Sequence, residues 1–284
     1  MMKFGISLFF TEYSMKPAGL AQELEARGFE SVWSGEHSHM PAAMKTPFPG
    51  EGGIKRHYYD VMDPFVTLTA AAMATKTLKI GTGVCLIAQR DPIQTAKLVA
   101  SIDQVSSGRF LFGIGDGWNQ EEIEKHGTEF KTRHKRARET VEAMKRIWTQ
   151  TQAEYHGEFV SFDPIMTWPK PVQKPHVPIL VGGAFPYAAR RAVRYGDGWI
   201  PTTGTAAKAD EILGLLPKFH AMLKEAGRDP ASCPVSLSTA PADLDLWKRA
   251  RDKGVVRINV GLQAASTEQA MPILDQWAAL MAKL

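Results

Sequence analysis

The segment from Leu78 to Trp118 constrains the fold of this chain more than any other. It contains an apolar strand pattern that runs into Gly-Thr-Gly-Val and a helical pattern from Pro92 to Val105. A second apolar strand, Phe110 to Gly115, then leads into Asp-Gly-Trp. Two such strands joined by a helix lie parallel in one sheet, because the crossover helix returns the chain to the same end. Small and polar residues therefore gather at one edge, where both strands end.

The same alternation of strand and helix patterns continues along the whole chain. A helical pattern separates each of eight strand patterns from the next, and eight parallel strands can close a barrel filled by its own side chains. Such a barrel takes about 250 residues. We therefore predict an α/β fold, a (β/α)8 TIM barrel formed by residues 1–284 as one domain. The predicted strands are Phe4–Phe10, Ser31–Gly35, Leu78–Leu86, Phe110–Gly115, Ile179–Val181, Gly198–Ile200, Val235–Thr239 and Val255–Val260.

Two segments interrupt this alternation. The loop from Ser38 to Asp60 follows the second strand and is rich in proline and glycine. A loop of this length inside a compact domain is usually functional, so we predict a lid or substrate wall over the barrel mouth; a flexible surface loop is the alternative. The second segment, 154–178, lies between the fourth helix and the fifth strand, and predicts a hairpin around Gly157 followed by a proline-rich run.

Composition narrows the class of protein. The 284 residues are 44% hydrophobic, and the net charge is only +4, so we expect no nucleic-acid partner. No apolar run approaches a membrane span and no signal peptide is evident, which indicates a cytoplasmic protein without a membrane partner. The two cysteines and the histidines lack metal-ligand spacing, so we predict no metal site. The one dense basic run, 131–138, predicts a solvated helix start, with an anion nearby as the less favoured alternative.

The direction of the strands sorts the polar residues. In β/α barrels the active site lies at the carboxyl ends of the strands, and the opposite face is structural. We therefore assign a structural role to Glu30, Lys79, Arg109 and Asp197, which precede their strands. The residues that end strands, and so surround the barrel mouth, are Glu36, His37, Thr82, Gly83, Cys85, Asp116, Trp118, Gly182, Gly183, Thr202, Thr203 and Ser238.

His37 is the strongest catalytic candidate, since no other histidine ends a strand. A histidine side chain titrates near neutral pH and can give or take a proton under working conditions. Glu36 could orient it or tune it, although neighbouring strand residues point to opposite faces. The alternative is a core histidine that the following loop holds in place.

Glycines at three strand ends indicate close approach of a ligand. Gly182-Gly183-Ala184 leads into a helix, and small residues there let backbone N–H groups approach a phosphate; a tight turn is the alternative. Thr202-Thr203-Gly204 on the next strand would complete a two-strand phosphate cradle. Gly83 permits a distorted backbone or a flat ligand against the third strand.

Taken together, these segments resemble the luciferase-like monooxygenase superfamily, and above all its deazaflavin (coenzyme F420)-dependent oxidoreductases. The resemblance covers nearly the whole chain in order. The segments that carry it are SVWSGEH (31–37), LKIGTGV (78–84), DPIQTAKLVASIDQVSSGRFLFGIGDGW (91–118), PVQKPHVPILVGGA (171–184) and RRAVRYGDGWIP (190–201).

The resemblance implies a flavin or deazaflavin ring in the barrel mouth. It places a non-prolyl cis peptide at Gly83-Val84, behind the ring, and an acidic–histidine pair that contacts the cofactor and exchanges the proton at Glu36-His37. Trp118 stands where some sugar-phosphate-oxidising relatives have glutamate, which argues against that substrate. The implied cofactor-binding residues are Gly83, Val84, Cys85, Asp116, Gly117, Trp118, Gly182, Gly183, Ala184, Thr202, Thr203 and Gly204.

The sequence therefore predicts an oxidoreductase that transfers a hydride between coenzyme F420 and a small organic substrate, with His37 handling the proton. One alternative is an FMN-dependent monooxygenase supplied with electrons by a separate flavin reductase. Another is a flavin-binding barrel without catalysis. The superfamily often forms dimers, so a homodimer is expected. The predicted substrate wall consists of Phe9, Phe10, Phe48, Tyr58 and Tyr59.

Overall fold

The computed structural model describes residues 2–50 and 52–284, so Glu51 of the long loop lies outside them. Eight parallel strands form a nearly closed barrel, which confirms the predicted fold class. In barrel order they are β1 (Lys3–Leu8), β2 (Ser31–Ser34), β3 (Lys79–Thr82), β5 (Phe110–Gly115), β8 (Ile179–Gly182), β9 (Gly198–Ile200), β10 (Ser236–Ala240) and β11 (Arg257–Gly261), with β4 (Cys85–Leu86) beside β5. An antiparallel hairpin, β6 (Ala153–His156) and β7 (Ser161–Ile165), confirms the one predicted around Gly157.

The barrel closes by two different kinds of pairing. The first strand pairs with the last over five residues, from Lys3↔Arg257 to Ser7↔Gly261. Between β9 and β10 the pairing reduces to the bridges Trp199↔Val235 and Thr202↔Ser238. Their backbones still exchange hydrogen bonds near the mouth, where the Ser238 N–H donates to the Pro201 carbonyl at 2.9 Å.

The helices cover the outside of the barrel. Aspartates cap two of their N-termini: the Asp63 carboxylate accepts from the N–H groups of Phe65 and Val66, and Asp91 accepts from that of Gln94, which satisfies donors that a helix start leaves unpaired. The helices are α1 (Pro17–Ala26), α2 (Pro64–Met73), α3 (Pro92–Val105), α4 (Gln120–Lys125), α5 (Arg133–Thr149), α6 (Tyr187–Tyr195), α7 (Ala206–Glu225), α8 (Leu244–Asp252) and α9 (Thr267–Met281). Among the described residues, no helix is both long and apolar enough to cross a membrane.

A separate apolar cluster fills the barrel interior. It consists of Trp33, Leu111, Leu180 and Ile200, one residue from each of four strands. The indole of Trp33 is fully buried and takes the space beside Gly81, where a Cβ would lie 2.5 Å from its ring. Burying such a side chain contributes about 2–3 kcal/mol, so this cluster stabilises the packed interior of the barrel.

Charged residues at the amino ends of the strands hold the bottom of the barrel together, as predicted. Arg257 makes two hydrogen bonds of 2.8 Å to the carboxylate of Glu30. Burial opposes ionisation of Glu30, but the contacts with Arg257 outweigh it and lower its pKa. Arg109 donates to the carbonyls of Ala72 and Leu78, and the Asp197 carboxylate accepts from the Ile179 N–H.

Two of the predicted strands were too long. The predicted strand Leu78–Leu86 is divided into β3 and β4 on either side of Gly83-Val84, whose peptide bond is cis, as the resemblance implies. The first strand ends at Leu8, so Phe9 and Phe10 lie beyond it. Alternation of apolar residues is a weak signal at such ends, because residues that leave the strand can still be buried.

Candidate active site

A cavity of about 630 Å³ opens at the carboxyl ends of the barrel strands. Its size falls in the range of small-molecule sites. Eight of its lining positions are glycine, serine or threonine, and the rest of the wall combines apolar and aromatic residues with the charged or polar side chains of Glu36, His37, Lys55, His57 and Gln263. The predicted site residues that line it are Phe9, Glu36, His37, Tyr58, Gly83, Val84, Trp118, Thr202 and Gly204.

His37 lies on this wall and is held by a carboxylate that the sequence did not single out. Its Nδ1 is 2.8 Å from Oε2 of Glu122, and the exposed fractions of the two side chains are only 6% and 1%. The second oxygen, Oε1, accepts from the Ser38 N–H at 3.0 Å. Glu122 comes from α4, 85 residues along the chain, and nothing in its local sequence distinguishes it from its neighbours Glu121 and Glu124.

The charge on Glu122 determines the tautomer of His37. Burial opposes ionisation of Glu122, but the hydrogen bond and charge of His37, together with the Ser38 N–H, outweigh it and lower its pKa. An ionised carboxylate only accepts hydrogen bonds, so the proton of a neutral His37 ring is on Nδ1. Nε2 then carries the free lone pair and is the atom that can take a proton from a ligand.

Glu36 has a different task from the one expected. Its carboxylate accepts from the Leu86 N–H and from Nε of Arg90, both at 2.7 Å, and Arg90 also donates to Asp63 at 2.9 Å. Burial disfavours the charge of Arg90, but the neighbouring Cys85 and Glu36 raise its pKa. Glu36 therefore fixes the chain after Gly83-Val84, and the partner of His37 is Glu122.

Aromatic rings surround His37. The Tyr58 ring centroid lies 5.3 Å from that of His37, and the Trp118 centroid lies 6.0 Å from it. Phe9 packs 5.0 Å from Tyr58, and burial raises the pKa of the Tyr58 hydroxyl. Phe48 does not line the cavity but supports this wall from behind, 5.6 Å from Trp118.

Val84 is seated between two glycines of neighbouring strands. A Cβ on Gly115 would lie 2.6 Å from one methyl group of Val84, and a Cβ on Gly182 would lie 2.7 Å from the other. Glycine at position 182 is therefore explained by packing against Val84. Gly182 is buried, and neither it nor Gly183 lines the cavity.

Asp116 contacts basic side chains of α5 and α6. Its Oδ2 lies 2.5 Å from Nδ1 of His134 and 3.2 Å from Nε of Arg191. Arg191 also reaches Gly183, whose Cβ would lie 3.7 Å from its guanidinium, and Arg133 donates to the Gly117 carbonyl at 3.3 Å. The basic run at 131–138 therefore contributes two residues to the strand ends, next to the glycines predicted to bind phosphate.

Several predicted site residues lie away from the cavity. Phe10 is fully buried in the hydrophobic core, and Cys85 is fully buried beneath the mouth. Thr203 uses its hydroxyl to donate to the Ser238 carbonyl at 2.9 Å, whereas Tyr59 is 56% exposed. Burial or exposure at these positions depends on where each strand ends, and the sequence pattern does not fix it. The predicted residues outside the cavity lining are Phe10, Phe48, Tyr59, Cys85, Asp116, Gly117, Gly182, Gly183, Ala184 and Thr203.

The long loop is attached to the same short helix that carries Glu122. The carboxylate of Glu121 accepts from the N–H groups of Lys45 and Thr46 at 2.7 and 3.1 Å, and from the Thr46 hydroxyl at 2.6 Å. The contacts with Thr46 and Lys45 lower the pKa of Glu121 to about 2. Helix α4 thus positions both the loop and the histidine, a role that its short sequence does not indicate.

The chain is similar to proteins of one family along most of its length. Residues 2–253 match the family model described as luciferase-like monooxygenase. An uncharacterized protein of Mycobacterium tuberculosis is 37% identical over 289 residues, which cover 99% of each chain. The F420-dependent hydroxymycolic acid dehydrogenase of the same organism is 30% identical over 217 residues, which are 75% of this chain and 54% of that protein.

The fold is similar to that of a solved monooxygenase. The crystal structure of RslO1 from Streptomyces bottropensis aligns with a TM-score of 0.79 over 99% of both chains, at 21% sequence identity. At this level of identity the likeness concerns the barrel and its connections.

Proposed function

Because this chain belongs to the luciferase-like monooxygenase family, we propose that it is an oxidoreductase that transfers a hydride between coenzyme F420 and a small organic substrate. The observation that carries this proposal is the imidazole of His37, oriented by Glu122 at the wall of an aromatic-lined cavity. The similarity to the F420-dependent hydroxymycolic acid dehydrogenase favours the deazaflavin. The family is described as luciferase-like monooxygenase, so an FMN-dependent monooxygenase is the second candidate.

The cavity fits a flat ring system. Backbone at Gly35, Gly83, Gly204 and Gly261 forms part of its lining, and glycine lets a planar group approach the main chain closely. Val84, fixed between two glycines, supplies a rigid apolar surface beside Gly83. The residues that would hold the ring are therefore Gly83, Val84 and Trp118, with Thr202 and Gly204 toward its polar end. When bound, the deazaflavin would supply or accept the hydride.

The chain itself would manage the proton. In oxidation of an alcohol, Nε2 of His37 would take the hydroxyl proton, and in reduction of a carbonyl it would return one. The imidazolium that forms would donate through Nδ1 to the ionised Glu122, which stabilises its charge. Phe9, Tyr58 and Trp118 would keep water out of the site, since an apolar wall prevents competing proton transfer.

Titration of the protein with F420 and with FMN, followed by cofactor fluorescence, tests the proposal. We expect F420 to bind in the micromolar range and FMN more weakly, and we expect secondary alcohols or ketones to change the deazaflavin absorbance under anaerobic conditions. His37→Ala should keep F420 binding and lose turnover by about 10²-fold or more. His156→Ala, on the exposed hairpin, is the control. Tight FMN binding with substrate-dependent oxygen consumption would establish the second candidate instead.

A further inference from the structure

Lys55 lines the cavity and carries a positive charge. Among the described residues, no carboxylate forms an ion pair with it. It lies in the long loop, and its side chain is exposed at the cavity rim. Its backbone is fixed, because the Lys55 carbonyl accepts from the Tyr58 N–H at 3.0 Å and so starts the short helical turn Arg56–Tyr58. Lys55 is therefore one turn from a ring of the aromatic wall.

The acidic groups near the cavity are bound by side chains other than Lys55. Glu36 is bound by Arg90, and Glu122 is bound by His37. On the loop itself, Arg56 forms ion pairs with Asp60 at 2.6 Å and with Glu12 at 3.5 Å. Glu36, Asp60 and Glu12 each have an arginine partner, so the ammonium group of Lys55 is a positive charge at the entrance that no described carboxylate pairs with.

Lys55 shares the cavity lining with a nearby histidine. His57, the second residue after it, also lines the cavity. Burial lowers the pKa of His57, and the nearby charge of Lys55 lowers it further. An anionic group of a ligand at the same depth in the cavity would be attracted by the positive charge of Lys55.

From this arrangement we infer that the substrate is a hydrophobic or aromatic alcohol or ketone that carries a carboxylate, which Lys55 binds at the cavity rim. The apolar body would pack against Phe9, Tyr58 and Trp118, and the reacting oxygen would meet Nε2 of His37. This inference rests on the proposed function, because it concerns the substrate of the same cavity. The other anion that could reach Lys55 is an acidic tail on the cofactor, and the experiment separates the two.

The first measurement is the binding of two matched probes to the cofactor-free protein. The probes are 4-phenylbutanoate and its neutral amide, and the readouts are calorimetry and tryptophan fluorescence. We expect the carboxylate to bind about five- to tenfold more tightly than the amide, the preference weakening as salt is added. Lys55→Met should abolish the preference without weakening the amide, and Lys55→Arg should retain it.

Lys45→Met is the matched control, because Lys45 is an exposed lysine of the same loop that does not line the cavity. Equal binding of both probes by the unmodified protein would overturn the inference, and so would an unchanged preference in Lys55→Met. A Lys55→Met variant that loses affinity for F420 but keeps the preference for the carboxylate would assign Lys55 to the cofactor. Absence of F420 binding by the unmodified protein contradicts the proposed function, while the probe pair still decides the role of Lys55.

Discussion

At the scale of single residues, the site depends on a carboxylate that binds one side of an imidazole and leaves the other side free. Glu122 is 1% exposed and bonds His37 at 2.8 Å, with the Ser38 N–H on its second oxygen. The neighbouring Glu36, which adjoins His37 in sequence, bonds Arg90 and Leu86. Adjacency along the chain is therefore a poor guide to adjacency in the site, because Glu36 and His37 lie beyond the end of β2 and their side chains bind partners from different elements.

Replacing Glu122 by glutamine should lower kcat more than it changes KM. The amide of glutamine can accept or donate, so it no longer specifies which nitrogen of His37 carries the proton, and it cannot stabilise an imidazolium by charge. In serine hydrolases the corresponding loss costs up to about 10⁴-fold in kcat; in this site we expect a loss of about 10²-fold. Glu124→Gln, at an exposed position of the same helix, should leave kcat unchanged. Steady-state kinetics checks both, and an unaltered kcat in Glu122→Gln would remove Glu122 from the mechanism.

The same pair predicts how stability depends on pH. The pKa of Glu122 is lower in the folded protein than its ordinary value of 4.5. The unfolded chain therefore binds more protons as the pH falls, so the stabilisation by Glu122 is complete above pH 4.5 and is lost as the pH drops through the folded-state pKa. Chemical denaturation should show Glu122→Gln to be less stable than the unmodified protein at pH 7. A destabilisation that does not diminish toward pH 3 would contradict this assignment.

At the scale of elements, neighbouring strands are shaped around Val84. Gly115 of β5 and Gly182 of β8 leave the space that its two methyl groups fill. The sequence indicated Gly182 as a place of close approach and attributed it, with Gly183 and Ala184, to a phosphate. It could not reveal that the approaching group is a side chain from the same protein, because that contact joins residues almost 100 positions apart.

Gly182→Ala should disturb ligand binding through this packing. The added methyl would lie 2.7 Å from Val84 and 3.1 Å from the Ile114 carbonyl, and overpacking of this kind costs about 1–3 kcal/mol. We expect a lower melting temperature together with weaker binding of F420. Gly214→Ala is the control, because no atom lies within 4 Å of its Cβ on the exposed side of α7; it should stabilise the helix by up to about 1 kcal/mol. Equal thermal shifts in the two variants would argue against the packing account.

At the scale of the whole molecule, the two ends of the barrel have separate roles. The bottom is held by ion pairs such as Glu30–Arg257, which joins the segment before β2 to the last strand. The mouth holds the titratable groups and the cavity. The alternation of strand and helix patterns was enough to predict this division, since the direction of a parallel strand assigns each of its ends to one face of the barrel.

Arg257→Leu should therefore destabilise the protein without altering the site. Arg257 is 5% exposed, and removing one partner of a buried ion pair typically costs about 3–5 kcal/mol. KM for substrate should stay the same at temperatures where the variant is folded. Arg249→Leu breaks the exposed pair with Asp210 and should cost less than about 1 kcal/mol. Denaturant titrations of the two variants give the comparison, and similar losses would show that burial does not distinguish these pairs.

The sequence predicted well the features that repeat along the chain or follow from strand direction. It missed individual side-chain contacts between elements that are far apart in the chain. Helix α3 and strands β5 and β9 have the predicted bounds, because caps and apolar runs define them. The roles of Arg90 and Glu122 were missed, since each acts on a residue from a distant element. The cavity residues were partly identified, because a strand end predicts nearness to the mouth but not whether a side chain such as Phe10 turns into the core.

The attachment of the long loop to α4 has a consequence for how this barrel can diversify. Glu121 binds the loop mainly through the main-chain N–H groups of Lys45 and Thr46, which every residue except proline provides. Side chains elsewhere in the loop, such as Lys55 and Tyr58, can therefore be exchanged over evolutionary time while the loop keeps its attachment. Related proteins could acquire new substrates by changing this one segment, while the histidine and its carboxylate remain in place beneath it.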